Sequence, residues 1–149
     1  MAQMRIYLDN CCYNRPFDDL TFDRIRLEAE AVLTIIRRAE AGTWQIIGGD
    51  VLELEMSKNP NPEKQENVKR LYNIISESIP YTAEVRDFAE IIRSKSNIAL
   101  FDSLHLASAY LAKVDAFLST DDKLIKAWNR LEYEMQVTNP TLWFMEVSI

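Results

Sequence analysis

The chain has 149 residues, 48% of them apolar, with only 3 glycines and 5 prolines and a formal net charge of −6. That length holds one domain with a full hydrophobic core and is short for two, so residues 1–149 read as a single domain, and the composition excludes a disordered, collagen-like or disulfide-stapled chain. The acidic balance runs against a protein that grips nucleic acid by bulk positive charge, although a carboxylate cleft loaded with divalent cations reverses that sign locally.

The first residues lack a basic stretch followed by an apolar run and a cleavage site, so no signal peptide is expected. No stretch has the roughly 18 consecutive apolar residues of a membrane span. Cys11 and Cys12 are adjacent, a spacing that would strain a disulfide, and are expected as reduced thiols of a cytoplasmic protein.

Residues 4–8 run apolar up to Asp9 as a short buried strand does, which puts Asp9 at that strand's carboxyl end. Over 22–41, Ile25, Ala29, Val32, Leu33 and Ile36 share one helical face, while Arg24, Glu28, Arg37 and Glu40 are mostly directed elsewhere. Gly42 closes that helix. A second strand is expected over 44–47, after which Gly48-Gly49 hands the chain to a short helix carrying Glu53 and Glu55. Asn59-Pro60-Asn61-Pro62 is a firm breaker, because proline disfavours the helical conformation of the residue before it.

Val68, Leu71, Tyr72 and Ile75 mark one amphipathic helix, and Val85, Phe88, Ala89 and Ile92 mark another, with Pro80 between them. Residues 99–112 are apolar nearly all round and predict a buried helix. A strand over 115–119, a helix over 122–130 and a last strand over 135–138 complete the pattern. Strands alternating with helices imply an α/β fold with a mainly parallel sheet covered on both faces.

Open parallel sheets collect functional groups at the carboxyl ends of strands, where the strand order reverses. Asp9 ends the first strand and Asp121-Asp122 follows the strand over 115–119, so the two sites can lie side by side. Asp102 is embedded in Ala-Leu-Phe-Asp-Ser-Leu-His-Leu, where its neighbours predict deep burial. A buried carboxylate needs a cation or hydrogen-bond donors, although a helix-capping Asp is the plainer alternative. Glu53 and Glu55 each read alone as a solvated helix residue. Taken as a set, acids at 9, 55, 102 and 122 would repel in one cleft unless a cation compensates, and magnesium or manganese on carboxylate oxygens suits phosphodiester hydrolysis.

In order and local wording these acids resemble the PIN-domain family of metal-dependent nucleases. Tyr7-Leu8-Asp9 is similar to its first-strand motif, Phe101-Asp102-Ser103-Leu104-His105-Leu106-Ala107 to its third-acid helix and Leu118-Ser119-Thr120-Asp121-Asp122 to its final strand end. The family acid usually lies two residues after a Ser or Thr, so Thr120 points to Asp122 with Asp121 in reserve. Glu55 is preferred to Glu53 as the second acid, on its Glu-x-x-x-Asn-Pro context. The opening Leu8 to Asp19 resembles one subset of the family, with Asn10 where many relatives carry a hydroxyl residue.

The likeness runs from Met4 to about Asn129. It implies a three-layer α/β/α domain, an endoribonuclease using Mg2+ or Mn2+ on Asp9, Glu55, Asp102 and Asp122, and the VapC-like toxin half of a toxin-antitoxin pair. RNA substrate, a cognate antitoxin protein and a homodimer are the implied partners.

Arg15, Lys58, Thr120 and Lys123 lie close in sequence to these acids and are candidates for substrate phosphates, against the plainer reading of solvated loop residues. Tyr13, Phe17 and Trp128 are candidates for base stacking or for ordinary packing. The single His105 shares the helical face of Asp102 and reads first as a core residue, and its solitude excludes a two-histidine ribonuclease. Two other classes stay open at this point. One is an aspartyl-phosphate phosphatase using Asp9, which the Cys11 two residues on disfavours, and the other a PIN-like module that binds RNA or a protein without cutting.

Overall fold

The computed structural model describes residues 3–148. Five strands, β1 (Arg5–Leu8), β2 (Gln45–Gly49), β3 (Glu77–Ile79), β4 (Ala116–Leu118) and β5 (Gln136–Thr138), form one sheet in the order β3-β2-β1-β4-β5. All four pairings are parallel. The helices are α1 (Asn10–Asn14), α2 (Asp23–Glu40), α3 (Asp50–Ser57), α4 (Pro62–Tyr72), α5 (Ala83–Ser94), α6 (Leu100–Leu111), α7 (Asp122–Asn129) and α8 (Pro140–Val147), with a 3-10 turn at Arg15–Phe17. Helices pair as α2 with α8 and α5 with α6, and with the sheet they make the expected three-layer α/β/α, PIN-like fold.

The central strands are apolar without alternation because both sheet faces are covered: Ile6, Tyr7, Leu8, Ile47, Phe117 and Leu118 are fully buried. Since β1, β2 and β3 run outward one way and β4 and β5 the other, the strand order reverses between β1 and β4. Their register pairs Leu8 with Leu118, and the Asp9 amide continues the ladder by donating to the Leu118 carbonyl at 2.9 Å. Asp9 and the segment after β4 therefore share one sheet edge.

Strand β3, helix α8 and the five-residue α1 escape the sequence pattern. Strand β3 is a three-residue edge in which only Ile79 is buried, so Glu-Ser-Ile carries no apolar run between the helices that flank it. Helix α8 follows β5 and fixes Trp143 edge-to-face on Trp44, with ring centroids 5.0 Å apart. Gly48 and Gly49 lie inside β2 and not in a turn after it. A side chain at Gly48 would meet the Tyr72 ring, whose hydroxyl accepts from the Gly49 amide at 2.9 Å. Gly42, at φ +85°, ends α2 as expected.

The buried stripe of α2 keeps the expected Ala29, Val32 and Ile36, adds Ala31 and Ile35 while Ile25 and Leu33 are only half-buried, and includes one charged residue, Glu28, 2% exposed. Its oxygens take hydrogen bonds from Arg15 Nε at 2.8 Å, Arg24 Nε at 3.1 Å and Asn139 Nδ2 at 2.6 Å. An ionised carboxylate is tolerated there because every bond it receives is charge-assisted.

Candidate metal centre

The site is built from four elements that end or begin at the β1/β4 edge. Asp9 caps α1: its Oδ1 accepts from the Asn10 amide at 2.8 Å and its Oδ2 from the Ser119 hydroxyl at 3.0 Å. Ser119 in turn accepts from the Asp121 amide at 3.1 Å, which ties the segment after β4 to Asp9. Asp121 is the N-cap of α7, its Oδ1 accepting from the amides of Lys123 and Leu124. One Asp121 oxygen is engaged by the backbone and the carboxylate still lines the cleft.

Helix α6 supplies Asp102 and His105 three residues apart, on one face. His105 is fully buried and bridges two partners, with Nε2 2.8 Å from Glu55 Oε1 and Nδ1 2.6 Å from the Tyr7 hydroxyl. A carboxylate only accepts, so Nε2–H donates to Glu55 and, in the neutral ring, Nδ1 accepts from Tyr7. Burial pulls the imidazole toward neutrality. The hydrogen bond to Glu55 and the charges of Asp9, Glu55 and Asp102 outweigh that and hold its pKa above the ordinary value.

One donor atom from each of Asp9, Glu55 and His105 lies within 4.8 Å of the others. Asp102 stands nearby with its carboxyl pushed up to about 6, first by burial and then by the charge of Asp9, with Asp121 and Glu55 adding to it against the opposing pull of His105. Together Asp9, Glu55, Asp102 and Asp121 line a cleft of about 470 Å³, with Asn10, Asn14, Arg15 and Lys58 on its rim. Oxygen donors in this number, one of them made harder to ionise by burial and by its neighbours' charge, match what a hard divalent cation takes as ligands.

No family model matches the sequence, and no curated protein matches it either. Among solved structures the chain is similar to one in the crystal structure of VapBC2 from Rickettsia felis bound to a DNA fragment from their promoter. The two align with a TM-score of 0.57 and 15% identity over 91% of this chain and 98% of that one. The fold is PIN-like. At that identity the likeness is one of architecture, and the residues have to speak for the site.

Of the acids expected from the sequence, the structure brings Asp9, Glu55 and Asp102 to the cleft. Asp102 is half-buried and not deeply buried, because its side of α6 opens on that cleft. Asp122 is turned away: Arg24 grips it with two hydrogen bonds of 2.9 and 2.8 Å and holds its carboxyl below the usual range. Asp121 lines the cleft in its stead. The Ser/Thr spacing fits both acids, since Ser119 precedes Asp121 by two residues just as Thr120 precedes Asp122.

Glu53 is held elsewhere, accepting from the Tyr72 hydroxyl at 3.0 Å and facing Ser78. Arg15 reaches the rim but is shared between Glu28 and Asp18. Thr120 is buried, its amide donating to Cys11 Sγ at 3.3 Å, and does not line the cleft. Lys123 lines an adjoining cleft that shares Asp102 and Asp121 with the first. Tyr13 and Trp128 are fully buried core residues. Cys12 is a buried free thiol pushed up by desolvation, whereas Cys11 lines the cleft with Sγ 3.5 Å from Asp9 Oδ2.

Sequence reasoning missed the joint placement of His105, Tyr7 and Glu55. The one available signal was a lone histidine on the Asp102 face of an otherwise apolar helix.

Proposed function

We propose that this protein is a metal-dependent endoribonuclease of the PIN type, in which Asp9, Asp102 and Asp121 hold the ion and Glu55 serves it or the attacking water. The observation that carries the reading is the convergence of five carboxylates on one cleft at the strand-order reversal, of which Asp18 is paired with Arg15 and Lys64 while Asp9, Glu55, Asp102 and Asp121 have no Lys or Arg partner among the described residues. Carboxylates left in that state repel, and a divalent cation relieves the repulsion. The oxygen donors suit magnesium or manganese, and His105, with both ring nitrogens engaged by Glu55 and Tyr7, positions Glu55 and is not counted among the ligands.

When bound, such an ion supplies a water ready to attack phosphorus and offsets charge on the phosphoryl oxygens. The chain's own part is to keep the acids from reorganising. Ser119 and the Asn10 amide fix Asp9, while Tyr7 fixes the His105 ring, which in turn orients Glu55 to receive a proton from the water. Lys58 on the rim, in no ion pair among the described residues, offers charge to the substrate phosphate, whereas Arg15 is held by Glu28 and Asp18.

The VapBC2 neighbour and the motif resemblance together support a toxin role with a cognate antitoxin protein as partner, while RNA as substrate and a homodimer as the assembly rest on the motif resemblance alone. The test is cleavage of a panel of structured RNAs by the wild type, Asp102→Asn, Asp121→Asn and Asp122→Asn, with magnesium, manganese or a chelator. Metal-dependent cutting lost in the first two variants and kept in Asp122→Asn supports the reading. No cutting under any metal, or equal cutting by Asp102→Asn, overturns it.

A further inference from the structure

Beside the carboxylate cleft, and sharing Asp102 and Asp121 with it, runs a second cleft of about 400 Å³. Its lining has an apolar floor of Ile98, Leu124 and Ala127 and a row of cations, Lys123, Lys126 and Arg130. All three cations are exposed, and none forms an ion pair among the described residues. Other cations, Arg37, Arg38, Lys58, Lys69, Lys95 and Lys113, also stand outside any ion pair among the described residues, so what sets this row apart is its place: three unpaired cations lining one cleft that shares Asp102 and Asp121 with the acid centre. They recur at i, i+3 and i+7, one face of α7 and its end, a row roughly 10 Å long.

Helix stability accounts for part of this row only. Lys126, in the last turn, complements the carboxyl-terminal end of the helix dipole, but Lys123 sits in the first turn, where a cation opposes the dipole. An unpaired cation kept at a cost, next to a phosphodiester-cutting centre, points to an anionic ligand.

We propose that Lys123, Lys126 and Arg130 form the track for the phosphates of a single-stranded RNA flanking the cut bond on one side, so that the strand crosses α7 and enters the acid cleft at Asp121 and Asp102. The proposal rests on the nuclease reading of that cleft. A repulsive acid centre cannot supply affinity by itself, and this row gives the enzyme its grip despite the net charge of −6. Spacing along one helix suits a flexible strand that can follow it, and the apolar floor gives bases a surface to lie on.

The experiment measures fluorescence anisotropy of a short labelled single-stranded RNA in chelator, across a salt series. It compares the wild type, Lys126→Glu/Arg130→Glu, the milder Lys126→Gln/Arg130→Gln, and a control reversal on a distant helix, Lys69→Glu/Arg70→Glu. The charge-reversed row is expected to lose about tenfold or more in affinity and to lower the salt slope by about 1.4, two single-strand phosphate contacts, with the neutral pair intermediate and the control within about twofold.

Unchanged affinity and slope in both row variants would overturn the proposal, as would a wild type that does not bind. Displacement of the RNA by an acidic peptide as readily as by unlabelled RNA would assign the row to a protein partner and also overturn it. Cleavage in manganese, read separately, tells the two readings apart: a wild type that cuts RNA while the row variants cut with unchanged KM leaves the nuclease standing and removes the track.

Discussion

The molecule holds two clusters of carboxylates, one around Glu28 and one around Asp9, and the chain treats them in opposite ways. Around Glu28, each acid meets a cation: Arg15 joins Glu28 to Asp18, Lys64 closes on Asp18, and Arg24 joins Glu28 to Asp122. Around Asp9, the four acids of the cleft other than Asp18, which the first cluster neutralises, have a single imidazole among them. The first cluster is internally neutralised, so its charges support the fold. The second holds uncompensated negative charge, a cost the fold has no use for and a cation site does. Partners, more than burial, separate a structural acid from a ligand here, since Glu28 and Asp9 are almost equally buried.

The largest effect that would sharpen this contrast is on Glu28. Glu28→Ala leaves Arg15 and Asn139 without their buried acceptor and is expected to lower unfolding free energy by about 3–5 kcal/mol, the usual consequence of removing one partner of a buried pair. Denaturant unfolding measures it, and a loss below about 1 kcal/mol would erase the distinction between the clusters. Asp102→Asn should act in the reverse sense. Without metal it relieves repulsion and raises the unfolding midpoint, while cleavage in manganese falls by on the order of a hundredfold or more. A variant that is both less stable and fully active would place Asp102 in the structural class.

The contrast also marks what the sequence could reveal. Asp9 and Asp102 were legible because each interrupts an apolar run whose period is plain, and the three-layer α/β/α order followed from the alternation of such runs. Asp121 and Asp122 were not separable, since adjacent residues at a helix start differ only in how the first turn winds, and that is set by the capping of α7 by Asp121 and by the reach of Arg24 from α2. Glu28 looked like a surface residue because helical periodicity cannot show Arg15 and Asn139 arriving from 13 residues before it and 111 after it. Strand β3 was hidden for a related reason: an exposed edge needs no apolar pattern, only a neighbour, β2, to pair with.

A smaller effect follows from protonation. Asp102 has a folded-state pKa of about 6, above the value near 3.9 of an unfolded Asp, so the folded state prefers its neutral form and stability is lost as pH rises through the window from about 4 to 6. His105 is raised above its unfolded value near 6.5, so the stability it adds is complete below that pH and is lost as pH rises through its higher folded value. Both act in one direction. The midpoint of the metal-free protein is expected to fall by a few degrees between about pH 5 and pH 8, and saturating manganese to flatten or reverse that slope. A metal-free midpoint that climbs across this window would mean that the cleft carries no excess negative charge.

The smallest effect is the most discriminating. Asp122 is exposed and its pairing with Arg24 is a surface one, where side-chain entropy and solvent offset most of the attraction. Asp122→Asn should therefore leave the unfolding midpoint and the cleavage rate nearly unchanged, whereas Asp121→Asn, one residue earlier, removes a cleft carboxylate and should lower cleavage and metal affinity together. Titrating manganese into each variant by its electron spin resonance signal reads the affinity without relying on catalysis. If Asp122→Asn loses the metal and Asp121→Asn keeps it, Arg24 must release Asp122 on metal binding, and pairing in the metal-free fold would cease to distinguish structural acids from ligands.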